Sequence, residues 1–210
     1  MNFDFASKIN PHLEKFDFES ALGIAENALK EIPHTIFHFV IDKSLTHHVS
    51  NLSDWIDEFY RESILEYDIE SLYFEMIEFD INTDTWLIDG FGFTFDGGLE
   101  DTNWLCDVKT MTQKPFILEG YEPLQNAFEF HQQTREILRR SNNDAILNSE
   151  DYLNSSISRD WCEQIIIIRF MELMYNAHLT SSKKQLNWAK IPVYFTEHEY
   201  SFTLKSEHKL

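Results

Sequence analysis

The chain has 210 residues, of which 43% are hydrophobic and 15% aromatic; this composition argues against disorder and allows one sizeable core. Its 36 acidic residues outnumber its 17 basic ones, giving a formal net charge of −19. A charge of this sign repels phosphate backbones and anionic lipids, which argues against nucleic acid and membranes as partners and favours a basic protein.

The composition predicts a single domain over residues 1–210, because no Gly/Ser-rich or Pro-rich linker divides the chain. The polar run 141–156 is interpreted as a long connection. Cys106 and Cys162 lack CxxC spacing, and the first residues carry acids where a secretion signal has bases. The longest apolar run, Ile165–Ile168, is far shorter than the ~20 residues of a membrane span. We therefore expect a cytoplasmic protein.

Two helices and a strand are predicted in the first third of the chain. Apolar residues that recur every three or four positions predict a helix over 18–32, with Asp17 as its cap. The same periodicity predicts a second helix over 52–64. Between them, residues 35–41 are β-branched and aromatic, which favours a strand.

Two apolar runs, 70–81 and 85–95, flank a polar turn at Asn82–Asp84 and predict a central antiparallel hairpin. Alternation assigns the second run two faces: Leu87, Phe91, Phe93 and Phe95 on one, and Ile88, Gly90, Gly92 and Thr94 on the other. We expect the aromatic face to be the core face. The face with the glycines is small enough for another group to approach closely.

The second half of the chain predicts two helices and a C-terminal hairpin. Pro123 in the first turn and arginines in the last favour a helix over 123–140. A second, central buried helix is predicted over 160–179, capped by Ser158, and the hairpin over 191–205. The expected fold is α+β, a mostly antiparallel sheet packed against four to five helices.

The sequence contains two partial sets of metal ligands and no complete one. Asp80, Asn82 and Asp84 have the spacing of the first three ligands in a calcium-binding loop, but Thr85 and Phe91 stand where that loop needs Gly and Glu. A hairpin turn explains these residues better. His34 and His38 are four residues apart, yet no third zinc ligand accompanies them. We expect no metal and no cofactor.

Catalytic motifs are also missing, and we predict no catalytic residue. The chain has no GxSxG motif, and the glycines of Gly90–Phe93 open no helix that could hold a phosphate. Carboxylate pairs could form across the hairpin from Glu75, Glu78, Asp80, Asp89 and Asp96. A carboxylate-dependent, metal-assisted hydrolase therefore stays open as an alternative, although chance pairs are unavoidable among 36 acids.

Acids and tryptophans interleave between Leu72 and Val108, and this segment is the predicted partner-binding surface. Its predicted binding residues are Asp80, Asp84, Trp86, Asp89, Asp96, Glu100, Asp101, Trp104 and Asp107. Exposed indoles would supply rigid contact area, and the carboxylates long-range attraction for a basic partner. The alternative is that the aromatics are buried and the acids merely solvated.

In its length, acidity, α+β pattern and lack of a catalytic motif, the whole chain resembles bacterial immunity proteins that neutralise polymorphic toxins. The resemblance is one of overall type and rests on no motif. It implies an inhibitor whose carboxylates pair with the basic residues that a toxic nuclease uses for phosphate, while Trp86 and Trp104 anchor the complex. A homodimerising structural or regulatory protein is a further alternative, and it would present an apolar, self-complementary patch.

Overall fold

The computed structural model describes residues 3–77, 85–198, 200 and 202–207. Its contacts divide the chain into two compact units, each built from three separate stretches. The first unit comprises residues 1–43, 79–86 and 119–169, and the second comprises 44–78, 87–118 and 170–210. The expectation of a single domain stays a prediction.

The first unit is helical in its described part. Its helices are α1 (Phe3–Leu13), α2 (Phe18–Lys30), α4 (Glu122–Arg140), α5 (Asp144–Leu147) and the portion of α6 (Glu150–Lys183) up to residue 169. Asp17 caps α2 as predicted, since its carboxylate accepts a hydrogen bond from the Ser20 N–H at 3.2 Å. Leu22, Ala25 and Leu29 form the buried stripe of this helix.

The strand expected over residues 35–41 is wrong, because Ile36–Val40 form a short 3₁₀ helix. The Thr35 hydroxyl accepts a hydrogen bond from the Phe37 N–H at 3.2 Å and so starts a helical turn. This local bond outweighs the weak β preference of the side chains. Phe37 then packs edge-on against Phe128, with ring centroids 5.3 Å apart.

The long helix α6 begins ten residues earlier than the predicted 160–179, at Glu150. The Ser149 hydroxyl accepts a hydrogen bond from the Tyr152 N–H at 3.3 Å and acts as the cap assigned to Ser158. Ser158 lies inside the helix, where it donates to the Ser155 carbonyl. Residues 150–159 are exposed or half-buried apart from Ser158, so they carry no apolar stripe from which a helix could be predicted. None of the described helices is both long enough and apolar enough to cross a lipid bilayer.

The second unit contains a mixed six-stranded sheet, which confirms the α+β class. Its strands are β1 (Ser71–Ile77), β2 (Leu87–Phe93), β3 (Thr110–Met111), β4 (Phe116–Ile117), β5 (Val193–Glu197) and β6 (Leu204–Ser206). The order is β3-β2-β1-β5-β6, with β4 also on β2. The β1–β5 pair is parallel and the other described pairs are antiparallel. The predicted turn at Asn82–Asp84 lies outside the described residues.

The helix α3 (Val49–Ser63) belongs to the same unit and packs on β2. Both faces of β2 are covered. On the predicted aromatic core face, Phe93 is fully buried, and Leu87 and Phe91 are half-buried. Against expectation, the small face with Ile88, Gly90 and Gly92 is buried as well. The cross-strand partner of Gly90 is Phe74, whose ring occupies the space that a side chain at Gly90 would need. The neighbouring strand therefore supplies the bulk that Gly90 lacks.

Two glycine-to-alanine substitutions should change stability in opposite directions. A Cβ at Gly90 would lie 2.7 Å from Phe74 and 2.9 Å from Thr112, so we expect Gly90→Ala to lower the free energy of unfolding by about 1–3 kcal/mol. A Cβ at Gly23, inside α2, would meet no atom within 4 Å, so Gly23→Ala should raise it by about 0.5–1 kcal/mol. Urea unfolding of both variants measures this. Stability unchanged by Gly90→Ala would contradict the close packing of Phe74.

Candidate functional site

The two tryptophans expected to anchor a partner are buried, which corrects that part of the predicted surface. Trp104 is 8% exposed, and its ring packs edge-on against Phe93 and Tyr194 at centroid distances of 4.8 and 5.2 Å. The indole N–H donates to the Gly98 carbonyl at 2.9 Å. The ring also covers Gly97 so closely that a Cβ there would collide with it. Trp104 is thus a core residue, held by the turn at Asp96–Gly98.

Trp86 belongs to the first unit and is 1% exposed. Its ring packs edge-on against Tyr121 and Phe128, with centroids 5.7 and 5.6 Å away. These contacts make Trp86 part of an aromatic core, and it is not an exposed contact residue. The sequence shows an indole between acids but does not show the aromatic rings that cover it.

Asp96 is held by groups of its own unit. It accepts hydrogen bonds from the Tyr194 hydroxyl, from Lys205 Nζ at 2.9 Å and from the Gly98 N–H at 3.1 Å. Burial acts to raise the pKa of Asp96, but these hydrogen bonds together outweigh it and leave the pKa below its ordinary value. The carboxylate therefore fastens the end of the sheet.

Glu75 and Asp89 are the two candidate carboxylates that the described structure brings together. They are paired residues on β1 and β2, and burial, followed by the charge of Glu75, raises the pKa of Asp89. His198 Nδ1 lies 3.2 Å from Glu75 Oε1, and the Tyr73 hydroxyl donates to the same oxygen at 3.2 Å. Among the described residues, no group of three or more His, Cys, Asp or Glu side chains could hold a metal ion.

The remaining predicted acids are either exposed or outside the described residues. Glu100, Asp101 and Asp107 are exposed, and Asp101 accepts a hydrogen bond from the Asn103 N–H at 3.0 Å to start the short helix Thr102–Cys106. Asp80 and Asp84 lie outside the described residues, as does Asn82 of the calcium-like spacing. The predicted surface is therefore a set of solvated or structural carboxylates in the part that can be described.

A different acidic site lies between α3 and the edge of the sheet. Glu58, Glu62 and Glu66 are exposed, and within residues 3–77 and 85–198 and the described C-terminal positions none of them has an ion-pair partner. They recur every four residues along and just beyond α3, so their carboxylates follow one side of the helix at intervals of about 6 Å. They line a cavity of about 460 Å³, which we call the acidic groove.

The opposite wall of the acidic groove is the edge of the sheet. Residues 110–114, which include β3, line it, and β3 is the outermost strand in the described order. The Trp55 indole N–H donates to the Lys114 carbonyl at 3.2 Å and fastens α3 to this edge. Met111 and Tyr67 are 55% and 38% exposed, so apolar surface accompanies the glutamates. The groove combines carboxylates that lack an ion pair in the described part of the chain, an apolar surface and a strand edge.

The glutamates of the groove could have been found from the sequence, because Glu58 and Glu62 lie in the predicted helix 52–64 and Glu66 continues their spacing. The opposite wall could not, since nothing in residues 110–114 shows that they face α3.

Comparison with known proteins gives no matching family model, no matching curated protein and no matching solved structure.

Replacing Asp96 tests the ionic contact that holds the sheet end. Asp96→Asn removes the charge facing Lys205 but retains an oxygen for the Gly98 N–H. Because its pKa is lowered in the folded state, Asp96 stabilises the fold above its unfolded pKa, and this contribution is lost as pH falls through the folded pKa. We expect the variant to be less stable by about 1 kcal/mol near neutral pH and to converge with the parent in acid.

Urea unfolding across this pH range measures the difference. Asp107→Asn is the control, since Asp107 is exposed and has no ion pair among the described residues. An Asp96→Asn defect that stays constant down to acid pH would show that shape, and not charge, is what matters at this position.

Proposed function

We propose that this protein is a non-catalytic binding module that captures a basic segment of a partner protein in the acidic groove. The observation that supports this is the row of three exposed glutamates beside a sheet edge, none of which forms an ion pair with a described residue. In the cell, the protein would act in the cytoplasm as an immunity-type inhibitor of a toxin such as a nuclease. The acidic groove replaces the segment 72–108 as the proposed contact surface.

Spacing supports a basic strand as the bound segment. Carboxylates every fourth residue of a helix are about 6 Å apart. Side chains on one face of a strand, every second residue, are about 6.7 Å apart. A partner strand with Lys or Arg at alternate positions could therefore pair its main chain with β3 and its cations with Glu58, Glu62 and Glu66. The nearby Met111 offers apolar contact to its other residues.

Inhibition would follow from occlusion. A nuclease binds phosphate through Lys and Arg side chains, and a partner whose cations are engaged by carboxylates cannot bind nucleic acid with them. The net charge of −19 adds long-range attraction, which speeds association and makes it sensitive to salt.

A carboxylate-dependent hydrolase is the second candidate, because the pKa of Asp89 is raised beside Glu75. His198 and Tyr73 bind the same glutamate. A hydrolase would lose activity on Glu75→Gln, whereas an inhibitor that uses the acidic groove would keep its affinity.

A triple substitution tests the groove. We expect Glu58→Gln, Glu62→Gln and Glu66→Gln together to weaken binding of a labelled peptide of alternating Lys and Val by at least about tenfold near 50 mM salt. The control is Glu14→Gln, Glu19→Gln and Glu31→Gln, which removes the same charge from exposed positions in the first unit. Fluorescence anisotropy measures both affinities.

Equal weakening by the two triple variants would contradict a defined site, because only the total charge would then matter. Binding of a Glu/Val peptide as tight as that of the Lys/Val peptide would also contradict the proposal.

The inhibitor role is tested with the product of the neighbouring gene. If that product is a basic nuclease domain, the parent protein should block its activity on DNA or RNA, and the groove triple variant should not. A nuclease inhibited equally by both would place the contact elsewhere.

A further inference from the structure

A concentration of positive charge lies in the first unit of this otherwise acidic chain. His131, Arg135 and Arg139 recur every four residues along α4, so they lie on one side of that helix. Arg159 of α6 lines the same cavity of about 280 Å³. Leu147, Tyr152, Ser156 and Asp160 complete the lining of this cationic pocket.

Three arginines line the pocket, and two of them form no ion pair with a carboxylate of the described residues. Arg159 lies 3.2 Å from Asp160 and 2.8 Å from Glu163, so carboxylates compensate it. Arg135 and Arg139 have no carboxylate within ion-pair distance in the described part of the chain. Both are exposed at the mouth of the pocket. Within the described ranges, the two guanidinium groups therefore line the same cavity without counter-ions, in a chain that has more than twice as many acids as bases.

The pocket also contains hydroxyl groups suited to an anion. The Tyr152 hydroxyl is buried and has no hydrogen-bond partner among the described residues. A buried hydroxyl without a partner costs about 1–3 kcal/mol. Because this hydroxyl is covered in the ligand-free protein, a small movement of the Tyr152 side chain has to accompany its donation to an acceptor in the pocket. Ser156 Oγ lies 3.2 Å from His131 Nε2, and the Tyr152 ring stacks on His131 with centroids 5.6 Å apart.

The charges that act on His131 in the pocket are mainly positive. The pKa of His131 is lowered, first by burial and then by the charge of Arg159, with Arg135 adding to the effect and Asp160 opposing it. Burial disfavours a charge of either sign, but the arginine charges that repel a second proton on His131 attract a negative ligand.

We infer that the cationic pocket binds a phosphate group, either free or as the monoester of a small metabolite. Arg135 and Arg139 supply charge and paired N–H donors, and Tyr152 and Ser156 supply hydroxyl donors. A cavity of about 280 Å³ is several times the ~30 Å³ that one water molecule takes in the liquid, so it has room for a tetrahedral anion and the first atoms attached to it. This inference does not depend on the acidic groove, which belongs to the other unit.

Isothermal titration at constant ionic strength tests the site with inorganic phosphate, glycerol phosphate and acetate. We expect both phosphates to bind and acetate not to. Tighter binding of glycerol phosphate than of inorganic phosphate would identify a monoester as the ligand, and the reverse order would identify the free ion.

Three variants locate the binding. Arg135→Gln with Arg139→Gln should weaken phosphate binding by at least about tenfold, because two charge-assisted contacts are lost. Arg140→Gln is the matched control on the same helix. Arg140 pairs with Glu136 at 3.0 Å and does not line the pocket, so its loss should change affinity by less than about twofold.

Tyr152→Phe separates a ligand-binding role from a structural one and does not remove charge. It should weaken phosphate binding several-fold while leaving ligand-free stability to urea unchanged or slightly higher, because the hydroxyl it removes has no partner in the described structure.

Phosphate binding that is undetectable up to about 10 mM, that is matched by acetate, or that persists in the double arginine variant would overturn the inference. A destabilised Tyr152→Phe protein with unchanged phosphate affinity would overturn it equally. If the double variant does not fold, the Tyr152→Phe result and the acetate comparison decide the matter.

Discussion

Charge imbalance is the constraint on which the placement of polar residues depends. With 36 acids and 17 bases, 19 carboxylates cannot have a cation of their own, and burying such a group unpaired would cost several kcal/mol. Two of the buried acids are accordingly paired: Glu26 lies 3.4 Å from Arg169, and Glu163 lies 2.8 Å from Arg159. Most other acids in the described ranges are exposed, including those of the acidic groove. Acids are in excess, and yet no described carboxylate pairs with Arg135 or Arg139 of the cationic pocket.

Much of the secondary structure could be predicted, because apolar spacing reports which side of a helix is buried. The helices α2, α3 and α4 follow from such stripes within a few residues. Prediction failed where one hydrogen bond or a distant side chain decides the outcome. Thr35 turns a β-branched segment into a 3₁₀ helix, Ser149 starts α6 within a polar run, and Phe74 makes the glycine face of β2 a core face.

The candidate sites were harder to predict, because exposure depends on partners far away in sequence. The sequence places Trp104 among acids, but Phe93 and Tyr194 cover it in the fold. From the sequence, the arginines of α4 are explained as partners of the helix dipole. Tyr152 and Arg159, which also line the cationic pocket, stand in or beside a run predicted to be a connection, so the sequence does not place them near these arginines. Once that run is helical, Tyr152, Ser156 and Arg159 share a face, and the cationic pocket becomes visible.

The interleaved course of the chain has a consequence for how this protein can be handled. Each compact unit draws on three stretches of sequence, so no single cut separates the two units: the fragment 44–210, for example, contains the whole second unit but also residues 79–86 and 119–169 of the first. Residues 1–43, for example, need 119–169 to complete their unit, and the polypeptide must bring these stretches together before either is covered. Dissection into autonomous halves by a nick or by truncation is therefore ruled out by connectivity, and biosynthesis has to proceed past Ser206, the last residue of β6, before the β-sheet can close.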